Sequence, residues 1–254
     1  MARTVKRRIF AGPVCEQYVY NVSDRVGDPN RYEKKPRFET EADRKEFNRK
    51  VAWQRHARSF NANFGPTSLY STLTCDDEHE IFDFKDAKKI MDNYLDRLIR
   101  KYPKARIRMY TGRGKTTHRI HFHMVSEGVP KEVILEKWHE GRIYRISNLR
   151  EHNKYNGVDH GRDYTGLANY LIAHWTEEVG GHRYKQRGKF REPEKEKVTE
   201  CKRSYSEEHP PVAPRGYTLV ETRKTKYGFL WFKYVALPQK RKYTRRKTEG
   251  EDPS

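Results

Sequence analysis

Two imidazoles and one phenol stand at spacings in the sequence that allow metal binding and nucleophilic attack. His121 and His123 flank Phe122 in the segment 120–125. Because side chains alternate between the faces of a strand, both histidines would lie on one face while Ile120, Phe122 and Met124 face the core. Two imidazoles on one face can share a divalent metal ion. The alternative is an ordinary edge strand with exposed histidines, since about 0.5 such pairs are expected by chance in a chain of this length with 11 histidines.

The phenol belongs to Tyr170, in a segment whose spacing predicts a helix over residues 163–179. A step of about 100° per residue puts Tyr170 at the edge of the apolar face, packed but accessible, and puts Tyr164 in its middle as a core aromatic. A phenol at such an edge can act as a nucleophile on phosphorus. The alternative is a tyrosine that only packs, because the chain has 17 tyrosines. The apolar face itself consists of Leu167, Ala168, Leu171, Ile172 and Trp175.

The composition favours a polyanionic partner. Lys and Arg total 54 against 35 acidic residues, which gives a formal net charge of +19. A positive field of this size is typical of proteins that bind nucleic acid. We expect no membrane partner, because no helix pairs a basic face with a strong apolar one and no segment is long enough to span a bilayer. Three separated cysteines without a CxxC pair disfavour disulfides and a zinc ribbon, and indicate a cytoplasmic protein.

The central part of the chain predicts an α+β fold, an antiparallel sheet with packed helices. The predicted strands are residues 69–74, 105–111, 118–125 and 142–147. The clearest helix is 83–101, with apolar residues three and four apart, and a short helix begins at Pro130 and ends before Gly141.

The predicted domain organisation has one central domain with appendages at both ends. Residues 1–60 form a mostly irregular basic N-terminal extension, with a candidate strand at 17–22 and a polar helix at 39–58. Residues 61–190 form the central domain, 191–216 a charged linker and 217–238 a C-terminal β-hairpin. Residues 239–254 form a basic disordered tail.

Taken in order, these elements resemble the HUH endonucleases, the replication initiators of rolling-circle plasmids and phages. The segment RIHFHMV at 119–125 is similar to their metal motif, and LANYLIAHW at 167–175 to their nucleophile helix. The segment KWHEG at 137–141 resembles a Trp-x-x-Gly element between the two. The resemblance covers about residues 55–205. It implies the RRM-like fold of that superfamily, with residues 61–190 as the nickase domain.

The resemblance implies an enzyme that nicks and rejoins single-stranded DNA at an origin. His121 and His123 would hold Mg²⁺ or Mn²⁺, and Tyr170 would form a 5′-phosphotyrosyl bond while the released 3′-OH primes synthesis. The implied partners are single-stranded DNA and origin DNA in the cytoplasm of a bacterial host. Because the chain has no phosphate-binding GxxxxGK[ST] motif, unwinding would fall to a host helicase. The oligomeric state stays open.

Two positions depart from the pattern of that family. Ala173 stands three residues after Tyr170, where the family often has Lys, and His174 is the neighbouring residue that could balance charge instead. The predicted strand 105–111 carries no acid for a third metal ligand, so Asp76, Asp77 and Glu78 remain candidates.

Basic residues on both sides of the two motifs are candidates for binding the DNA phosphates. Each such contact would add salt dependence rather than sequence preference. The alternative for every one of them is a solvated surface charge. The candidate nucleic-acid-binding residues are Arg113, Lys115, Arg119, His174, Lys185 and Arg187.

Two further functions remain open. One is a transposase or relaxase of the same fold, which the sequence does not separate from an initiator. The other is a non-catalytic module that binds DNA or RNA. The distance between Tyr170 and the two imidazoles discriminates between the enzymes and the binding module.

Overall fold

The computed structural model describes residues 2–23, 40–76, 81, 83–114, 116, 119–173, 184–225 and 228–236. The helices in these residues are α1 (Glu41–Asn63), α2 (Phe84–Lys101), α3 (Lys131–Lys137) and α4 (Thr165–Ala173). The strands are β1 (Ala2–Ala11), β2 (Val14–Ser23), β3 (Leu69–Cys75), β4 (Arg106–Arg113), β5 (Ile120–Glu127), β6 (Gly141–Asn148), β7 (Lys154–Tyr155), β8 (Val158–Asp159), β9 (Tyr184–Arg187), β10 (Glu194–Lys195), β11 (Thr199–Glu200), β12 (Tyr217–Lys224) and β13 (Leu230–Ala236).

The middle of the chain folds into a five-stranded sheet in the order β6-β3-β5-β4-β9, and every pairing in it is antiparallel. This central sheet confirms the expected α+β class. The histidine-bearing strand β5 lies in its middle, between β3 and β4. A central strand pairs with a neighbour on each side, so both pairings fix its register.

Helices α2 and α3 cover one face of the central sheet. Asp83 caps α2 by accepting a hydrogen bond from the Lys85 backbone N–H at 2.8 Å. The apolar residues of α2 repeat every three or four positions and meet the apolar alternation of β4 and β5, as predicted. The buried cluster includes Met91, Tyr94, Leu95 and Leu98 of α2 with Ile107, Met109, Ile120, Phe122 and Met124 of the sheet.

Helices α1 and α4 cover part of the opposite face. Helix α1 is mostly polar, but it has a short apolar stripe near its C-terminal end, where Ala57 and Phe60 are buried. These side chains pack with Ala168 and Leu171 of α4 and with Tyr110 and Val125 of the sheet. Tyr164 is buried in the same cluster, which confirms its prediction as a core aromatic. The central sheet is therefore covered by helices on both sides.

A second antiparallel sheet joins the two ends of the chain, in the order β10-β1-β2-β13-β12 with β11 also paired to β1. The prediction that residues 1–60 are mostly irregular is wrong, because β1, β2 and α1 are all regular. The basic run Lys6 to Arg8 obscures the strand pattern, although Val5 and Ile9 are buried. Strand β2 pairs with β13, more than 200 residues away, and the local sequence does not indicate this long-range pairing.

Gly12 makes the turn between β1 and β2 and brings it against α1. Its φ is +59°, a conformation that glycine adopts without the steric cost of a side chain. A Cβ at this position would lie 2.2 Å from the Asn61 carbonyl oxygen. The turn therefore needs glycine for both its backbone angle and its close packing.

Ion pairs hold the terminal sheet against α1 and α4. Lys233 of β13 pairs with Asp163, and the side chains of both residues are less than a tenth exposed. Glu16 of β2 accepts a hydrogen bond from Arg58 of α1 at 2.6 Å. Asp163 also accepts from the Thr165 backbone N–H at 2.9 Å, at the first residue of α4. Contacts with the terminal sheet thus fix the start of α4.

The C-terminal part of the chain is more ordered than the predicted linker. Strands β10 and β11 lie within 191–216 and both pair with β1. The predicted hairpin strands are present as β12 and β13, which pair antiparallel. Helix α4 is described up to Ala173, and the rest of the predicted helix and the predicted tail lie outside the described residues. Within the described part of the chain, no helix is long and apolar enough to cross a membrane.

Replacing Lys233 with Met should destabilise the protein strongly, because it leaves the Asp163 carboxylate buried without its cation. Breaking a buried pair in this way costs about 3–5 kcal/mol of unfolding free energy. Urea unfolding at neutral pH measures the loss. The exposed Lys224→Met on β12 is the matched control and should change stability little. The double variant Lys233→Met/Asp163→Asn should recover part of the loss, and equal stability of Lys233→Met and wild type would refute the role of the pair.

The same pair gives an expected pH dependence. Burial alone would raise the pKa of Asp163, but the Lys233 ammonium and the hydrogen bonds from Thr165 outweigh it and hold that pKa below its ordinary value. The unfolded value is about 3.9, so this stabilisation is complete above that pH and is lost as the pH falls through the lower folded pKa. In Lys233→Met the ammonium is absent, so burial raises the pKa of Asp163 and this carboxyl takes up a proton at a higher pH than in wild type. The stability gap between wild type and the variant should therefore narrow as the pH falls from neutral toward the low folded pKa of the wild type.

Candidate active site

His121 and His123 lie on the face of β5 that turns away from α2. Their ring centroids are 4.9 Å apart and the rings are nearly perpendicular. Phe122 and Met124 point to the opposite face, into the cluster under α2. His123 is buried and His121 is half-buried. The alternation predicted from the sequence is therefore present, and it brings both imidazoles to one side of the central strand.

Tyr170 approaches the histidines from α4. The centroid of its ring lies 5.9 Å from that of His123. Ala168, Leu171 and Ile172 of the same helix are buried, whereas half of the Tyr170 side chain is exposed. The buried face of α4 thus anchors the helix while the phenol stays open to solvent. Tyr170 and His123, which are 47 positions apart in the sequence, are thus neighbours in the structure.

Strand β3 contributes a tyrosine that sequence reasoning did not identify. The Tyr70 hydroxyl is 2.8 Å from Nδ1 of His123, and the two rings stack with an angle of 17° between them. Thr72 Oγ1 lies 3.4 Å from the same nitrogen. Since the Tyr70 contact occupies Nδ1, Nε2 is the His123 nitrogen suited to a metal. Burial raises the pKa of Tyr70, which keeps its hydroxyl protonated at neutral pH.

Gly112 makes room for the imidazole of His121. It is the cross-strand partner of His121 on β4. A Cβ at Gly112 would lie 2.5 Å from His121 Nε2 and 2.9 Å from Cε1. Any larger residue would therefore push the ring out of its present position. The sequence alone gives no sign of this role, because it depends on the register of β4 and β5.

A buried polar pair lies beside His123 on the same face. Tyr110 is the cross-strand partner of His123 on β4, and its hydroxyl is 2.8 Å from Nε2 of His56 on α1. Burial raises the pKa of Tyr110, so it stays a neutral hydrogen-bonding group. This bond ties α1 to the strand next to the histidines. It helps to hold the floor of the site in one arrangement.

A buried arginine supports the same wall. Arg108 of β4 stacks between the rings of Tyr184 and Phe190, with its guanidinium carbon 4.5 Å and 4.8 Å from their centroids. It donates to Ser59 Oγ and to Gln186 Oε1, both at 2.9 Å. These contacts join α1, β4 and β9. Stacking and neutral acceptors thus hold this cation in the interior.

His121 and His123 are the side chains of this site that could hold a divalent metal, as two imidazole ligands. Among the described residues, no group of three or more His, Cys, Asp or Glu side chains forms a complete metal site. Asp76 is therefore not a third member of such a group, and Asp77 and Glu78 lie outside the described residues. Imidazole fits many transition metals, whereas Mg²⁺ and Mn²⁺ take oxygen ligands readily. The residues fit a metal that completes its coordination with water or phosphate oxygens.

Several predicted phosphate-binding residues lie away from this face. Lys185 and Arg187 of β9 form ion pairs with Asp92 of α2 at 2.8 Å and 3.0 Å, and Arg187 also bonds Asp96. Both therefore project to the α2 side of the sheet, opposite the histidines. Arg113 stacks over Phe84, at the start of α2, with 4.9 Å between the guanidinium carbon and the ring centroid.

The three other predicted phosphate-binding residues are Arg119, Lys115 and His174. Arg119 is exposed just before β5 and remains a candidate. Lys115 and His174 lie outside the described residues. Proximity to the motifs in the sequence does not determine the face of the sheet on which a cation lies, because strand residues next to each other point to opposite sides.

Two arginines that the sequence did not single out lie on the histidine side of the sheet. Arg145 of β6 pairs across the strands with Thr72, and Arg142 pairs with Thr74. Thr72 and Thr74 pair in turn with His123 and His121 on β5. Directly opposed residues share a face of the sheet. Both arginines are exposed, so they extend the site toward its outer edge.

Comparison of the chain with protein-family models, with characterised proteins and with solved structures returned no match.

Gly112→Ala should weaken metal binding without unfolding the protein. The glycine has no positive φ, so alanine fits the strand backbone, but its Cβ displaces the His121 ring. We expect Mn²⁺ affinity to fall roughly tenfold, as for other changes in the support of a metal ligand. Isothermal titration with Mn²⁺ measures it. Gly65→Ala, which would meet no atom within 4 Å, is the matched control. Unchanged affinity in Gly112→Ala would exclude His121 as a ligand.

Tyr70→Phe should reduce Mn²⁺ affinity about 10- to 100-fold, the usual effect of losing the hydrogen bond that orients a ligating histidine. The ring and its stacking on His123 remain, so thermal stability should change little. Tyr102→Phe, at the end of α2 on the other side of the sheet, is the control. Equal Mn²⁺ affinity of Tyr70→Phe and wild type would show that the Tyr70 hydroxyl does not orient His123.

Proposed function

We propose that this protein is a metal-dependent DNA nickase and strand joiner that acts as a replication initiator of the HUH type. Its substrate is single-stranded DNA at an origin, and its product carries the 5′ end of the cut strand on a tyrosine. The one observation that carries the proposal is the approach of Tyr170 to His123, with 5.9 Å between ring centroids, beside a second imidazole on the same face.

The surroundings of these side chains support an active site rather than a chance cluster. His123 is buried and oriented by Tyr70, which limits the positions that its ring can take. Tyr170 is half exposed at the end of a well-packed helix, so a nucleic acid can reach it. A preorganised ligand beside an accessible nucleophile is what a phosphoryl-transfer site requires.

Tyr170 is the nucleophile in the proposed reaction. Its hydroxyl oxygen attacks the scissile phosphorus, a bond between that oxygen and phosphorus forms, and the bond to the 3′ oxygen of the preceding nucleotide breaks. The phenol proton passes through solvent to the released 3′ oxygen. One phosphodiester is exchanged for another, so reversal by a 3′-OH rejoins DNA without ATP.

The histidines and their supports prepare the phosphate for this attack. His121 and His123 would hold Mg²⁺ or Mn²⁺, which supplies Lewis-acid polarisation of the phosphate when bound. Gly112 leaves room for the His121 ring, and Tyr70 fixes that of His123. In the proposed role the released 3′-OH primes synthesis in the bacterial cytoplasm. Origin DNA and a host helicase are then the expected partners.

A non-catalytic module that binds DNA or RNA is the second candidate function. It is favoured by Ala173, at the position where HUH enzymes often have Lys, and by the two-ligand set among the described residues. A transposase or relaxase of the same fold would use the same side chains and the same chemistry. The distinction between it and an initiator lies in the DNA sequence that is cut.

Tyr170→Phe should abolish nicking by removing the attacking oxygen. The measurement is incubation with the circular single-stranded DNA of the replicon that carries the gene, plus Mn²⁺, followed by denaturing electrophoresis. Wild type should give linear DNA and a covalent protein–DNA adduct. The double variant His121→Ala/His123→Ala should also lose cleavage, by a factor of at least about 100, as expected when electrostatic stabilisation is removed.

Tyr102→Phe serves as the control for loss of a tyrosine hydroxyl far from the site and should cleave like wild type. Cleavage by Tyr170→Phe with an adduct on another residue would reject Tyr170 as the nucleophile. Tight DNA binding by wild type without any cleavage, with Mn²⁺ or with Mg²⁺, would favour the binding module instead.

A further inference from the structure

Strand β6 forms one outer edge of the central sheet and carries three exposed side chains suited to a nucleic acid. It is the last strand in the order β6-β3-β5-β4-β9. Arg142, Tyr144 and Arg145 of this strand are all exposed, Tyr144 by 72%. Two cations and one aromatic ring thus project from this edge strand, next to the candidate active site.

The register of the sheet connects this edge to the histidines. One row across the strands runs Arg145, Thr72, His123, and a second row runs Arg142, Thr74, His121. Neighbouring strands are about 4.8 Å apart, so the backbone of each arginine lies roughly 10 Å from that of its histidine. Both rows end in a cation on the same face as the imidazoles.

These two arginines have charge available for a ligand. Neither has a carboxylate partner within the part of the chain that the structure describes. Other cations of the same sheet are neutralised, as with Lys185 and Arg187 by acids of α2. A phosphate would have to displace a carboxylate at those positions but meets no such competitor at Arg142 or Arg145.

Tyr144 owes its exposure to an irregularity in the strand. Thr72 pairs with Arg145 while the next residue, Leu73, pairs with Ile143, so Tyr144 is left without a partner on β3. A bulge of this kind re-aims a side chain and often lies beside a functional site. An aromatic ring between two arginines combines base stacking with phosphate contacts, the usual means of binding single strands.

We propose that β6 is the binding track for the single strand that leads into the active site, with Arg142 and Arg145 on phosphates and Tyr144 stacked on a base. The ligand class is unpaired DNA, since a stacking ring needs an open base face. The inference rests on the proposed function for the direction of the strand, toward Tyr170, but its binding test does not require cleavage.

Charged residues also protect sheet edges from pairing with other chains, so their presence on β6 has a second physical use. That use requires only charge at the edge. It requires neither alignment of the arginines with the histidine rows nor an exposed tyrosine between them. A binding experiment distinguishes protection of the sheet edge from binding of a nucleic acid.

The experiment is fluorescence anisotropy with a labelled oligothymidine in EDTA, titrated at several salt concentrations. Each phosphate contact on a single strand contributes about 0.7 to the slope of log Kd against log salt concentration. Arg142→Gln/Arg145→Gln should therefore lower the slope by about 1.4. Arg100→Gln/Lys104→Gln removes the same charge at the end of α2, on the other side of the sheet, and should leave the slope nearly unchanged. Equal losses in both double variants would overturn the proposal.

Tyr144→Leu should weaken binding roughly 5- to 150-fold at an unchanged salt slope, the range for loss of one stacked base, while Tyr144→Phe should bind like wild type. Circular dichroism verifies that each variant is folded. Equal affinity for a duplex of the same length would also overturn the single-strand assignment.

The two proposals fail separately. If the β6 variants bind less well but wild type never cleaves, the track stands and the nickase does not. If wild type cleaves and the β6 variants keep its affinity and salt slope, the nickase stands and the track does not.

Discussion

The position of the candidate nucleophile depends on one buried charge pair. Asp163 precedes α4, meets Lys233 of the terminal sheet, and also accepts hydrogen bonds from Thr165 and from Asn61 of α1. Burying two charges carries a large desolvation penalty, which is offset only when both are well paired. This requirement admits few arrangements of α4 relative to β13. The terminal sheet, although distant from Tyr170, thus determines where the helix that carries it begins.

The two faces of the central sheet differ in role: one is packed in the core, and the other carries the candidate site. Under α2 the face is apolar and closed, with Phe122 and Met124 at its centre. The other face is closed by α1 and α4 only in part, so buried His123 of β5 lies next to half-exposed Tyr170 of α4. A buried ligand keeps its orientation, whereas an exposed nucleophile admits a large substrate. Alternation along β5 puts His121 and His123 on the partly open face and Phe122 and Met124 on the closed one.

Local periodicity was sufficient for the elements that bury an apolar stripe. The bounds of α2, the alternation in β5 and the packing of Tyr164 all follow from spacing within one segment. The hairpin of β12 and β13 was predicted in this way, but the assembly of the terminal sheet was not, because β1 and β13 meet only through β2, which lies between them. Tyr70 and Gly112 join the site through register, which a single sequence does not encode locally. The resemblance to a known family likewise named the histidines and tyrosine but none of their supports.

Net charge is a poor guide to where a polyanion binds. The formal charge of +19 is spread over the whole chain. On the central sheet, Lys185 and Arg187 are held by acids, and Arg108 is buried between aromatic rings. Such cations stabilise the fold and offer little to a phosphate. The cations that remain available near the histidines are those whose strand neighbours are neutral threonines, which is the situation of Arg142 and Arg145. Affinity for DNA at this site should therefore depend on a few positions rather than on total charge, because counterion release counts only the phosphates that are contacted.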